Sequence, residues 1–254
     1  ADQNVLKNFK NVVKQCDLEI ENIIYTPYAI GLTLLSEEEK ELGVALLDIG
    51  STLSSLSIFY NGAILYTKII PLGGNMITTD ISRIFSLSIL DSERIKIING
   101  QLIEELEHSL SIIEVEALGD DNDSVEITRK DLIAVIKPRV KEIINAIKDE
   151  LLENRYNHLI ANRVVITGGA AQMDGLIDVT SKLLDKKGRL GKADTIKGIP
   201  DNMRNSSFTA INSLLNYSMI NHNDISLNNN KKNNNSEGLY NNLIKFKNWM
   251  LENF

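Results

Sequence analysis

Two short apolar runs, each ending in a glycine turn, constrain the fold of this chain more than any other feature. The first, Val44–Leu47, leads into Asp48-Ile49-Gly50, and the second, Val164–Ile166, leads into Thr167-Gly168-Gly169. Such runs are typical of strands buried on both faces. Glycines let the backbone approach a ligand, a following helix N-terminus favours anions, and a strand-end carboxylate can hold hydrated Mg²⁺. Together they predict an α/β fold with a candidate nucleotide site, although either motif alone also fits a plain strand-turn-helix connection.

An Asn-Gly pair, Asn61-Gly62, lies between two strand-like runs, Ser54–Tyr60 and Ala63–Ile70. This dipeptide is a strong signal for a two-residue hairpin, because both turn positions need positive φ. With the run that begins at Val44, it predicts a three-stranded unit. The segment Pro71–Asn75 then closes this unit and leads into an amphipathic helix.

The chain on either side of this unit has mainly helical periodicity. The apolar spacing of Val5–Cys16 predicts an amphipathic helix with Cys16 in the core, followed by a short strand at Ile23–Tyr25. The segment Ser36–Glu41 is interpreted as an acidic loop. A last helix is predicted over Ser207–Ile220.

Residues 88–160 have a different sequence pattern from the rest of the chain. A short helix is predicted around Asp91–Ile98, an acidic loop at Gly119–Ser124, and a long helical pattern after the capping signal at Thr128. Pro138 is expected to open a second helix in that pattern, because proline is tolerated in a first helical turn.

Composition excludes several classes of function. The 254 residues carry 27 basic and 34 acidic side chains, a net charge of −7, which argues against a nucleic-acid binder. No run approaches the roughly 18 apolar residues of a membrane span, and the polar N-terminus lacks the regions of a signal peptide. One cysteine and three scattered histidines offer no metal-ligand spacing, so the cytosol is the default compartment. No serine-hydrolase, zinc-protease or Walker motif is present.

The last 34 residues fall into two segments. Eight of the 17 residues in Asn221–Glu237 are Asn and almost none is apolar, which predicts a flexible linker. Residues 238–254 have amphipathic helical spacing. Such a helix packs on protein or lies at a bilayer interface, and the linker and Trp249 favour the bilayer. The positions assigned to the membrane are Leu239, Tyr240, Leu243, Ile244, Phe246, Trp249, Met250 and Phe254.

Five segments of the chain form a recognisable set. They are Glu41–Gly50, Ile70–Asn75 with Thr78 and Asp80-Ile81, Glu93–Lys96, Val165–Gly175 and the terminal amphipathic segment. Together they resemble the C-terminal half of the bacterial cell-division FtsA family, within the actin and Hsp70 ATPase superfamily. Several ATPases of the superfamily share the first four segments, and the tail singles out FtsA.

The resemblance implies an actin-like (ribonuclease H-like) ATPase domain with a helical insert, and ATP with Mg²⁺ as its ligand. Asp48 and Gly50 would form the second phosphate loop, with Mg²⁺ held through the nucleotide and Asp48. Glu93 and Lys96 would reach the ribose and adenine, although a solvated helix face is the alternative for both. The implied nucleotide-binding positions are Asp48, Gly50, Gly74, Glu93, Lys96, Gly168, Gly169, Ala170 and Met173.

The implied organisation has four parts. Residues 1–87 and 162–220 would form a large α/β subdomain and residues 88–161 a small helix-rich insert. Residues 221–237 would be the linker, and residues 238–254 the membrane-targeting helix.

Two departures from the family pattern weaken the nucleotide expectation. Ser51-Thr52 follow Gly50 where the family has further glycines, and their side chains would obstruct close backbone approach. The first domain of the superfamily, which supplies the far wall of the cleft, is also missing from this chain. We therefore expect poor affinity for ATP and no hydrolysis by this chain alone.

The resemblance also implies partners. In the family, the C-terminal peptide of the tubulin-like FtsZ binds the small subdomain. Here Arg139 could pair with that acidic peptide, or it could be an ordinary exposed arginine. Self-association into filaments, other division proteins and an anionic membrane surface complete the expected partners, and no nucleic acid is expected. The expected location is the cytoplasmic face of the bacterial inner membrane at the division site.

Three alternatives stay open at the level of sequence. The chain could belong to another actin-like or Hsp70-like ATPase in which turnover is the function. It could be a pilus-assembly or shape-determining scaffold. It could also be a remnant that binds no nucleotide, as the replacement of glycines after Gly50 suggests.

Overall fold

The computed structural model of the chain describes residues 3–103, 111–116, 124–193 and 198–219. The helices in these ranges are α1 (Gln3–Gln15), α2 (Thr26–Leu34), α3 (Glu37–Leu42), α4 (Gly74–Phe85), α5 (Ile89–Asn99), α6 (Arg129–Glu153), α7 (Leu176–Leu184) and α8 (209–219). The strands are β1 (Val44–Ile49), β2 (Ser54–Tyr60), β3 (Ala63–Ile70), β4 (Ile112–Glu116), β5 (Ser124–Thr128), β6 (Arg163–Thr167) and β7 (Lys187–Leu190).

A five-stranded mixed sheet with the strand order β3-β2-β1-β6-β7 organises the fold. Strand β1 pairs antiparallel with β2 and parallel with β6, and in this register Asp48 lies opposite Thr167. The carboxyl ends of β1 and β6 therefore lie side by side. As a result, the two glycine turns leave the same edge of the sheet next to each other, which is where open α/β sheets bind ligands.

Apolar side chains cover both faces of this sheet. Ala45, Leu47 and Ile49 of β1 belong to one core, which α4, α6 and α7 complete. Val44 and Leu46 belong to a second core on the opposite face, together with residues of α2. Since β1 is buried on both sides, its sequence is a continuous apolar run rather than an alternating one. The predicted three-stranded unit and its Asn61-Gly62 hairpin are confirmed.

The predictions for the first 42 residues are partly wrong. Residues 18–25 form no strand, and the segment interpreted as an acidic loop is helix α3. Ser36 caps this helix in a reciprocal capping box with Glu39. The capping box stabilises a helix in a segment whose acidic composition suggested a loop. No residue of α1 is buried, so the expectation that Cys16 lies in the core is also wrong: Cys16 is exposed.

Helix α6 runs unbroken through Pro138, so the second helix expected to begin there does not exist. A proline inside a helix costs about 3 kcal/mol. Ile136 and Val140 are buried on either side of Pro138, and the apolar stripe of α6 continues past it to Leu151. Packing of that stripe holds the helix together where local preference alone would end it.

Strands β4 and β5 form a separate two-stranded sheet that the sequence did not reveal. Both strands alternate apolar residues with glutamates, and Ile113 pairs with Ile127. Because acidic residues are uncommon in strands, the sequence of this segment did not indicate a hairpin. Strand β7 is likewise unpredicted. Ser124, placed in an acidic loop from the sequence, begins β5, while residues 117–123 lie outside the described residues.

The last predicted helix is confirmed over residues 209–219, and a short 3₁₀ turn at Ser206–Phe208 precedes it. Among the described helices, none has both the length and the apolar character needed to cross a membrane. The predicted linker (221–237) and the predicted membrane-targeting helix (238–254) lie outside the described residues. The division into two subdomains stays a prediction.

Candidate nucleotide-binding site

A cavity of about 330 Å³ opens where the two glycine turns meet the start of α4 and the side of α5. Its wall combines glycine backbone with a few polar and a few apolar side chains. The lining residues are Gly50, Ser51, Gly74, Ile77, Glu93, Lys96, Ile97, Gly169, Ala170, Gln172, Met173 and Ser207. Seven of the nine positions implied by the family resemblance are in this set. Asp48 and Gly168 are not.

Asp48 and Gly168 lie together behind the cavity wall. Gly168 has a φ of +93° and a ψ of 172°, a conformation open essentially to glycine alone. A Cβ on this residue would lie 2.4 Å from the carbonyl oxygen of Ile49 and 2.6 Å from Oδ1 of Asp48. The glycine is therefore required so that the second turn can cross directly over the Asp48 carboxylate.

Burial raises the pKa of the Asp48 carboxyl. A nearby divalent cation would favour the charged form instead. Among the described residues, no group of three His, Cys, Asp or Glu side chains could hold a metal by itself. One carboxylate at a strand end still fits Mg²⁺ that keeps its waters and is held mainly by phosphates. Because Asp48 lies behind the cavity wall, it would act on such an ion only through one of the waters that Mg²⁺ keeps.

Backbone hydrogen bonds fasten the first glycine turn to the start of α4. The Gly50 N–H donates to the Leu53 carbonyl over 3.0 Å, which closes the turn. The carbonyls of Gly50 and Ser51 accept from the N–H groups of Gly74 and Asn75, over 2.9 and 2.7 Å. These contacts satisfy two of the donors that a helix N-terminus otherwise leaves unpaired. The first glycine turn is therefore held directly against the N-terminus of α4.

Three side chains, Thr78, Glu93 and Lys96, form a hydrogen-bonded network on the opposite wall. The Lys96 ammonium donates to Glu93 Oε2 over 2.6 Å, to Thr78 Oγ1 over 2.9 Å and to the Gly74 carbonyl over 3.2 Å. The Thr78 hydroxyl donates to Glu93 Oε2. Burial opposes ionisation of Glu93, but the hydrogen bonds from Lys96 and Thr78 outweigh it and lower its pKa. Because the Lys96 side chain is only 11% exposed, it does not belong to a solvated helix face.

The structure adds three residues to the site that the sequence did not assign: Thr78, buried behind the wall, and Gln172 and Ser207, which line the cavity. Thr78 was part of the recognised motif, yet no role was drawn from it. Gln172 lies inside the second glycine motif, and its amide donates to the hydroxyl of Ser207. Ser207 carries no sequence signal of its own, because only the folding of residues 206–208 against the turn at 169–172 brings it to the cavity.

Arg139 lies away from this cavity, on α6. Its guanidinium makes a two-pronged contact with Asp80 of α4, with Nε to Oδ2 at 2.6 Å and Nη2 to Oδ1 at 3.0 Å. A third bond, from Nη1, reaches Glu142 over 2.6 Å. Asp80 and Glu142 raise the pKa of Arg139. Arg139 is thus not an unpaired surface arginine, and an acidic peptide would have to compete with Asp80 for it.

The fold is that of the actin-like ATPases. The crystal structure of MreB5 of Spiroplasma citri bound to ADP aligns with a TM-score of 0.71 at 18% identity, over 87% of this chain and 66% of that one. At that identity the likeness shows the fold alone.

Residues 45–213 match the family model of cell division protein FtsA. Because the match covers more than half of the chain, the protein belongs to the FtsA family. Cell division protein FtsA of Agrobacterium fabrum (strain C58) is 29% identical over 222 residues, which is 87% of this chain and 50% of that protein. FtsA of Neisseria meningitidis serogroup B is 30% identical over 250 residues, which is 98% of this chain and 60% of that protein. The chain spans about half the length of the curated relatives that it matches.

Proposed function

We propose that this protein is a cell-division adaptor that binds ATP with Mg²⁺ in the cavity at the ends of β1 and β6. In this proposal it assembles into filaments and tethers FtsZ filaments to the cytoplasmic membrane through residues 238–254. The observation that carries the nucleotide part is the meeting of the Glu93–Lys96 pair with both glycine turns around one cavity. The family supports the cell-division part.

The chemistry of the two walls suits the two ends of a nucleotide. Gly50, at the end of β1, lies beside Gly74, at the start of α4, and because neither has a side chain the backbone there leaves room for phosphates. Ala170, Met173 and Ile77 provide apolar surface, and Glu93 with Lys96 provides polar groups, as an adenosine requires. ATP with Mg²⁺ would supply the negative charge and the metal. The residues of this chain would bind and orient it.

The side chain of Ser51 limits how closely phosphates can approach, because it stands where the family has glycine. The cavity is also only partly enclosed, so a ligand would bury less of its surface than in an enclosed pocket. We therefore expect weak binding by this chain and assign it no catalytic residue.

Membrane attachment rests on the amphipathic pattern of residues 238–254 and on the Asn-rich segment before it. Lys245 and Lys247 against Glu252 leave a charge of only +1, so one copy would bind an anionic surface weakly. Neighbouring copies in a filament would multiply that attachment. The proposed location is the cytoplasmic face of the bacterial inner membrane at the division site.

The proposed surface for the FtsZ peptide is the insert, residues 88–161. Arg139 could contribute by exchanging Asp80 for a carboxylate of the peptide, because its side chain remains 22% exposed. Other division proteins are expected on the same protein.

Ligand-detected NMR with Mg-ATP, which registers even millimolar binding, tests the nucleotide part. We expect binding by the chain, weaker binding by Lys96→Met, and unchanged binding by the control Lys130→Met, whose side chain is exposed on α6. Absence of any ATP signal with the unmodified chain would overturn this part of the proposal.

A further inference from the structure

The buried hydroxyl of Thr78 is the centre of the polar network on the cavity wall. Thr78 is 3% exposed, and its oxygen lies 2.9 Å from Lys96 Nζ and 3.3 Å from the Gly74 carbonyl. An ammonium can only donate, so the hydroxyl accepts from Lys96 and has one proton left to give. That proton goes to the charged Glu93 oxygen in preference to the neutral carbonyl, because hydrogen bonds to ions are stronger.

Both hydrogen bonds that Glu93 receives fall on the same oxygen, Oε2. In the described part of the chain, no donor reaches Oε1. Glu93 lines the cavity and its side chain is 39% exposed. One oxygen is thus fixed from two sides, while the other keeps its full capacity to accept from a ligand.

Lys96 has no donor to spare. Its three N–H groups are matched by three acceptors: Glu93, Thr78 and the carbonyl of Gly74. A ligand could take a hydrogen bond from Lys96 only by displacing one of them. Of these two residues, Glu93 is therefore the one that would contact a ligand hydroxyl. Lys96 would affect the ligand only by holding Glu93 in place.

We infer that Thr78 is a positioning residue that holds Glu93 ready to accept hydrogen bonds from the sugar hydroxyls of a bound nucleotide. This inference rests on the proposed nucleotide function. A flexible glutamate loses side-chain entropy when it binds, and the Thr78 and Lys96 bonds remove that freedom in advance. Preference for a ribose over a sugar without hydroxyls is the property that Thr78 would control.

The test compares ATP with 2′,3′-dideoxy-ATP by ligand-detected NMR titration of the full 254-residue chain. We expect the unmodified chain to prefer ATP roughly tenfold, the worth of one hydrogen bond to a charged group. Thr78→Val should lose most of this preference by weakening ATP alone. Thr78→Ser, which keeps the hydroxyl, should retain it. Glu93→Gln, which removes the charge that attracts the sugar hydroxyls, should also lose most of the preference.

The outcomes distinguish the proposed nucleotide binding from the proposed role of Thr78. If the unmodified chain binds neither nucleotide, the proposed function fails and the inference with it. If it binds ATP but Thr78→Val keeps the preference, or weakens both nucleotides equally, the inference alone is overturned. An equal loss for both ligands would mean that Thr78 supports the wall without aligning Glu93.

Discussion

The guanidinium of Arg189 holds the carboxylate of Glu39 at both of its oxygens, with Nε to Oε1 at 2.8 Å and Nη2 to Oε2 at 2.6 Å. The same Nη2 also donates to the Leu34 carbonyl over 2.8 Å. Glu39 is 6% exposed and belongs to the capping box of α3. This contact joins the short helix before the central strand β1 to strand β7, at one edge of the sheet.

Loss of the Glu39 charge should destabilise the fold. Glu39→Gln weakens the two bonds to Arg189 and leaves the guanidinium less well paired, for which we expect about 1–3 kcal/mol. Urea unfolding followed by circular dichroism measures the change. The control is Glu38→Gln on the same helix, which is exposed and should cost less than about 0.5 kcal/mol. Equal effects of both changes would contradict the account.

The Glu39–Arg189 contact should also depend on pH. The hydrogen bond from Arg189 lowers the pKa of Glu39 below its ordinary value of 4.5, although burial opposes this shift. A carboxyl with a lowered folded pKa stabilises the protein above its unfolded pKa, and this stabilisation is lost as the pH falls through the folded value. The stability gap between the unmodified chain and Glu39→Gln should therefore be constant above about pH 5 and shrink below pH 4.5. A gap that grows in acid would contradict the sign.

Substitution of Gly168 should destabilise the fold for two reasons that can be tested separately. One is its positive φ, and the other is the set of atoms that a Cβ would contact. Gly198→Ala isolates the first reason, because Gly198 has a φ of +91° with nothing within 4 Å of a new Cβ. We expect about 1–2 kcal/mol for Gly198→Ala. Gly168→Ala should cost at least about 1–3 kcal/mol more, because a Cβ there meets Ile49 and Asp48. Thermal unfolding checks both, and similar melting temperatures would refute the close contact.

The Arg139–Asp80 contact should couple α6 to α4. Its two-pronged geometry and half-buried setting predict a coupling of about 1–2 kcal/mol in a double-mutant cycle with Arg139→Gln and Asp80→Asn. The cycle with Glu142→Gln should give less than about 0.5 kcal/mol, since the Glu142 side chain is 53% exposed. Negligible coupling to Asp80 would free Arg139 for a peptide partner and weaken its structural role.

Tyr66 of β3 should ionise late. Burial and its hydrogen bond to Glu150 raise the pKa of Tyr66 to about 12. Its contribution to stability should be complete below pH 10 and disappear between pH 10 and about 12, because its folded pKa is the higher one. Tyrosinate absorbance should show a late titration of Tyr66, which Tyr66→Phe removes and Tyr60→Phe keeps. Loss of the late step in both variants, or in neither, would contradict the assignment.

Local signals were enough to predict the centre of the fold. The apolar run of β1 and the Asn61-Gly62 turn act within a few residues, so the antiparallel strands follow from sequence alone. Pro138 shows the limit, because burial of α6 against distant strands overrides a local breaker. The hairpin of β4 and β5 was missed for the opposite reason: its alternating glutamates look like a solvated loop until they pair.

The candidate site likewise contains some residues that local motifs reveal and others that only the folded structure brings together. Gly50 and Gly168 carry visible motifs, and the resemblance added Glu93 and Lys96. The bond between Thr78 and Lys96 spans two helices, so no local pattern could reveal that Thr78 organises the pair. Ser207 lies 35 residues after Gln172, to which it is bonded. Contacts between distant segments are decided by tertiary packing, which a single sequence does not display.

Flotation on anionic vesicles, at low and moderate salt, tests the proposed adaptor role most directly. On the predicted amphipathic pattern, Trp249 and Phe246 belong to the membrane-facing side, whereas Asn248 lies opposite. Trp249→Glu and Phe246→Glu should therefore remain with the soluble fraction. The unmodified chain and the matched control Asn248→Glu, which adds the same charge on the polar side, should float. If none of the four proteins floats, or if all float equally, residues 238–254 are not a membrane anchor and the tethering function is wrong.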